Sequence, residues 1–107
     1  MSDDPCENEY PAPQFPDGAI VREIPIVNRK GLHARATAKF VQCVEKFDAD
    51  IMVFRCGETV GGTSIMGILT LGAGMGSTIT VGATGPQADE ALTALQVLVA
   101  SKFGEDE

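Results

Sequence analysis

Apolar and polar positions change period several times along the chain, and each change marks an element. Residues 20–27 (Ile-Val-Arg-Glu-Ile-Pro-Ile-Val) are rich in β-branched side chains and alternate toward their end, which predicts a strand. Pro25 cannot donate to a sheet ladder, so this strand is expected at an edge or an irregularity. Residues 28–31 are polar and close on glycine, a loop signal. Over 34–47 the residues Phe40, Val41, Val44 and Phe47 recur at helical spacing and predict one apolar helix face. Residues 50–55 read as a strand, 56–58 as a tight turn and 59–61 as a short partner strand. The run 64–72 is too short for periodicity to separate helix from strand. Ser64 is a good N-cap and favours a short helix. A glycine-rich loop at 72–76 precedes a strand at 77–83. Thr84-Gly85-Pro86 then opens a second long helix, with Asp89 and Glu90 near its positive dipole end. Ala88, Ala91, Leu92, Leu95, Leu98 and Val99 form its stripe. The order is β-α-β-β-α-β-α. Helices with one apolar stripe must cover a sheet, so a two-layer α+β sandwich is expected.

Composition sets bounds on this picture. The chain has 107 residues, 44% of them hydrophobic and 21% charged, enough for one domain with a modest core. The formal charge of −7 argues against a nucleic-acid binder. An acidic start with no long apolar run argues against a secretory signal or membrane insertion, and a cytoplasmic protein is expected. Cys6, Cys43 and Cys56 form no Cys-x-x-Cys pair, which predicts reduced thiols and no metal set. The charge is uneven. Residues 1–19 carry five acids and no Lys or Arg, and 105–107 are all acidic. Residues 20–104 carry eight basic and seven acidic residues. This divides the chain into an acidic, proline-rich mobile tail (1–19), a near-neutral domain (20–104) and an acidic C-terminal end (105–107).

Within the neutral part, Arg29, Lys30, Arg35 and Lys39 surround the single histidine, His33, with no acid among them. Most charge clusters are solvated faces, and most lone histidines at a helix start are caps or surface residues. Here the loop-to-helix position adds unpaired backbone N–H groups and the positive end of a helix dipole. Amides and the Arg35 guanidinium there could hold a phosphate, and a neutral imidazole could attack phosphorus. The glycine-rich 72–76 loop has no lysine for a P-loop and opens no long helix.

Two motifs, Gly31-Leu32-His33-Ala34-Arg35 and Ser64-Ile65-Met66-Gly67, lie 31 residues apart from His33 to Ser64. In both motifs and in their spacing the chain resembles the histidine-containing phosphocarrier proteins (HPr) of the bacterial phosphoenolpyruvate-dependent phosphotransferase system. The resemblance covers about residues 20–102 and implies an open-faced sandwich: a four-stranded antiparallel sheet covered on one face by three helices. It further implies that His33 takes a phosphoryl group from phospho-Enzyme I and passes it to a histidine of an EIIA-type domain. Ala34, Arg35 and Ala36 would hold the phosphate. Ser64 would be the regulatory serine of an HPr kinase/phosphorylase, and Ile65, Met66 and Leu69 a docking patch. No cofactor, no nucleic acid and a monomer are implied.

Ala36 departs from the pattern, since most members have proline there; alanine adds a backbone donor to the first turn. The Ala36-Thr37 pair and the serine motif resemble α-proteobacterial forms, which often regulate nitrogen and carbon metabolism without transporting sugar. The competing reading is a regulatory binding module controlled through Ser64, with His33 secondary. A free-standing enzyme has no supporting paired carboxylate, metal set or second acid/base beside His33.

Overall fold

A computed structural model describes residues 15–105. Most of the acidic segment 1–19 and the last two residues lie outside the described residues. The elements are β1 (Ile20–Pro25), α1 (Ala34–Val44), β2 (Asp50–Arg55), β3 (Glu58–Gly61), α2 (Ile65–Thr70), β4 (Thr78–Thr84) and α3 (Ala88–Ala100). A single 3₁₀ turn follows at Lys102–Gly104.

This is the expected β-α-β-β-α-β-α order with differences at element ends: Thr84 still belongs to β4, and α3 opens after Gln87 rather than at Pro86. β1 stops at Pro25, after which Ile26 still donates to Ser77 O at 2.8 Å outside the regular ladder. α1 stops at Val44 because Lys46 and Phe47 donate to carbonyls only three residues back, tightening the last turn. The 3₁₀ turn has no counterpart in the apolar pattern.

The four strands form one antiparallel sheet in the order β1-β4-β2-β3, with Pro25 in an edge strand. Ile24 faces Ile79 across β1 and β4, while Val53 faces Val81 across β2 and β4. These side chains share the face covered by the helices. Phe40 and Val44 of α1, Ile68 of α2 and Leu92, Leu95 and Val99 of α3 close over them, each at most 3% exposed. Burying such a side chain contributes about 1.5–3 kcal/mol, so the two-layer arrangement follows from the stripes. Arg22 points to the same side from the sheet edge and reaches α3 at Gln96 (2.7 Å) and Asp89 (2.5 Å).

On the opposite face Gly82 pairs with both Val21 and Met52. Gly82 is nonetheless buried, because the ring of Phe15 sits on it where a Cβ would stand. Of the cysteines in the described residues, Cys43 is a free thiol whose pKa is raised by burial. Cys56, in the β2–β3 turn, is disulfide-bonded, contrary to the expectation of reduced thiols. Among the described residues no helix is long and apolar enough to cross a membrane.

The loop before α1 is wedged against the loop after α2. Leu32 N donates to Ala73 O at 2.8 Å, and Gly31 adopts φ 64°, where an added Cβ would lie 2.5 Å from Ala73 O. Gly31→Ala therefore combines a left-handed conformation with a backbone clash. It is expected to lower stability by about 2 kcal/mol, a fall in Tm of roughly 8–16 °C by thermal denaturation. Gly74→Ala, with open space around its Cβ, serves as the control and should shift Tm little.

Candidate functional site

His33 is the N-cap of α1. Its backbone is extended (φ −77°, ψ 179°), and Thr37 N donates to its carbonyl at 2.8 Å to close the first helical turn. The imidazole makes no capping bond. The amides of Ala34, Arg35 and Ala36 consequently have no acceptor among the described residues. Ala34 and Arg35 are exposed, whereas the Ala36 side chain is wholly buried. Arg35 makes no hydrogen bond or ion pair to any described residue. The α1 N-terminus therefore offers open donors, partial positive dipole charge and an unengaged guanidinium on one short segment.

The ring itself is held from the other side. His33 Nε2 lies 2.6 Å from Glu105 Oε2, and Asn28 Nδ2 donates to Glu105 Oε1 at 3.0 Å. Asn28 is fully buried, and the same amide reaches Gly31 O at 2.9 Å, joining the loop to the carboxylate. His33 is 27% and Glu105 17% exposed at the side chain. Among the described residues Nδ1 of His33 has no hydrogen-bond partner.

The charge pattern placed Glu105 with the acidic end and a purely basic rim around His33. In the fold that end and that rim meet. A carboxylate faces the ring, and Lys39, one of the four clustered cations, donates to Phe103 O at 2.6 Å. Glu105 lies 72 residues from His33 in the chain, so no local period could place it there. The only hint was an aromatic residue after the α3 stripe, Phe103, followed by Gly104.

Ser64 is the N-cap of α2, accepting from Gly67 N at 3.1 Å, and is exposed. Ile65 and Met66 are 43% and 72% exposed, Leu69 is half-buried, and Ile68 between them is buried in the core. Met75, which the motifs did not single out, is 62% exposed on the loop that touches Gly31. The two motif segments are thus connected through this loop. No group of three His, Cys, Asp or Glu side chains that could hold a metal ion occurs among the described residues.

The Glu105 carboxyl is held below the ordinary carboxylate range, first by the Asn28 amide and then by His33. A carboxyl depressed in the folded state stabilises the fold above its unfolded pKa, and that contribution disappears as pH falls through the folded value. The Tm advantage of the wild type over Glu105→Gln is expected to be largest near about pH 6 and to shrink toward about pH 3 in thermal denaturation. A gap independent of pH would contradict the ionised contact.

Comparison with known proteins agrees with this geometry. A family model described as the PTS HPr component phosphorylation site matches residues 20–101. Phosphocarrier protein HPr of Cupriavidus necator is 45% identical over 88 residues, 82% of this chain and 99% of the relative. Phosphocarrier protein NPr of Shewanella violacea is 42% identical over 86 residues, 80% of this chain and 94% of the relative. Among solved structures, HPr-C-His of Thermoanaerobacter tengcongensis superposes with a TM-score of 0.79 at 42% identity, covering 82% of this chain and 99% of that one. With a family match from 20 to 101 and relatives covered almost end to end, the chain belongs to the HPr family of phosphocarrier proteins of the phosphotransferase system.

Proposed function

We propose that the chain carries phosphoryl groups on His33, taking them from phospho-Enzyme I and passing them to a histidine of an EIIA-type domain. The observation that carries this reading is the two-sided environment of one imidazole. Nε2 is engaged by Glu105, while among the described residues Nδ1 is unpartnered, on a residue that starts a helix with three open amides. Nδ1 is accordingly the attacking nitrogen. Its lone pair forms the N–P bond as the donor's P–N bond breaks and its electron pair returns to the donor ring. The amides of Ala34, Arg35 and Ala36 and the Arg35 guanidinium are suited to the transferred phosphate oxygens, because they are donors that no described residue occupies.

Ser64 is the proposed target of an HPr kinase/phosphorylase. Its hydroxyl is exposed at a helix start beside Ile65, Met66 and Leu69, the proposed docking patch. A dianionic phosphate there places charge amid apolar contact surface and weakens docking on acidic partners. The acidic segment before residue 20 is proposed to lie outside the docking function, which fits a family match that begins at residue 20.

Incubation with Enzyme I and phosphoenolpyruvate is expected to give acid-labile label that His33→Ala abolishes. Incubation with HPr kinase and ATP should give acid-stable label that Ser64→Ala abolishes. Label in the second tube alone would replace the carrier by a regulatory module, and label in neither would refute both roles.

Ala36→Pro removes one first-turn donor at a position where helices tolerate proline. The rate of phosphoryl acceptance should change by less than about threefold in stopped assays, because two amides and Arg35 remain. A large gain with proline would show that the Ala36 donor impedes transfer.

A further inference from the structure

The carrier reading leaves the tail contact at His33 without a role. Glu105 arrives at the ring by an unusual route. Lys102, Phe103 and Gly104 have φ of 59°, 57° and 77°, three successive residues in the left-handed region, two of them with side chains that disfavour it. A chain end free to extend would abandon this conformation. It is retained because Phe103 is buried to 1% exposure and Lys39 Nζ holds its carbonyl at 2.6 Å. The turn reverses the chain after α3 and delivers the next residue, Glu105, to the start of α1. There the carboxylate is held between the buried Asn28 amide and His33, with Lys30 the nearby cation. Strain fixed by independent contacts beside a reactive group is the pattern expected of a device for orientation.

We infer that Glu105 is a positioning residue for His33: its carboxylate accepts the Nε2 proton and thereby fixes both the tautomer and the direction of the ring. The inference rests on the carrier reading and gives it a protein-built orienting group. With the proton on Nε2, Nδ1 carries the lone pair and no proton has to leave when the N–P bond forms. The ring then bears phosphorus on one nitrogen and hydrogen on the other, with a formal positive charge that the carboxylate faces. On onward transfer the N–P electrons return to Nδ1 and the same neutral tautomer is restored. The arrangement parallels an acid that orients a catalytic imidazole through its second nitrogen.

The test uses the full chain with Glu105→Ala and Glu105→Gln, read by ¹⁵N shifts of the His33 ring above about pH 8 and by phosphorylation with phosphoramidate, which requires no protein donor. The glutamine variant keeps a neutral acceptor, so it should keep the Nε2–H signature and shorten the lifetime of the phosphorylated ring. The alanine variant should show mixed tautomers and accept phosphate about tenfold more slowly, the loss of an oriented nucleophile. Wild-type shifts and rate in the alanine variant would overturn the inference, as would changed shifts with an unchanged rate. Failure of His33→Ala to remove the label would instead overturn the carrier reading, and the ring shifts would still report on the contact.

Discussion

The candidate site depends on a helix that starts without a cap. Side-chain caps are ordinarily worth about 1 kcal/mol, and α1 forgoes one although His33 occupies the capping position. The helix persists because its other side is fully committed: Ala36, Thr37, Phe40, Val41 and Val44 are buried against the sheet and its neighbours. Tertiary packing carries the stability that capping would otherwise supply, and the open amides remain available for an anion. The loop preceding the helix has no freedom to relax into a capped form. It is pinned by Leu32 N to Ala73 O and by the close approach of Gly31 to the same loop.

The contrast with α2 clarifies this choice. That helix is six residues long and has a conventional cap, with Ser64 accepting from Gly67 N. It buries Ile68 and leaves Ile65 and Met66 outward. One short helix thus serves as a lid on the core and as an apolar surface, while the loop after it braces the start of α1. The two motifs that identify the family are mechanically coupled through residues 71–77, not merely coincident in sequence. Under the proposed carrier role, an exposed apolar patch beside an uncapped helix suits a protein that both docks and holds an anion.

Much of the fold was legible because it rests on local period. The stripes of α1 and α3, the alternation in β4 and the Ser64 cap each express a preference that tertiary structure had no reason to oppose. The boundaries that slipped did so where hydrogen bonding changed while hydrophobic spacing continued, as at Phe47 after α1. His33 and Ser64 were expected at helix starts, and they are the N-caps of α1 and α2. Glu105 and the tie of Lys39 to Phe103 were not legible. Both join residues more than 60 positions apart through a turn that no period encodes.

The sequence by itself determined the element order, the covered face of the sheet and the placement of a histidine at a helix start, because apolar spacing and motif spacing are local and the burial they demand has few solutions. Only the tertiary structure decided the sign of the charge beside that histidine. A count along the chain put the excess of acid at the ends and half of the base around the ring. Folding brings one end back through three left-handed residues and lays a carboxylate on Nε2, because the burial of Phe103 outweighs the backbone preference against that turn. Charge acts through space, and the distance that matters was set by an aromatic anchor in the core.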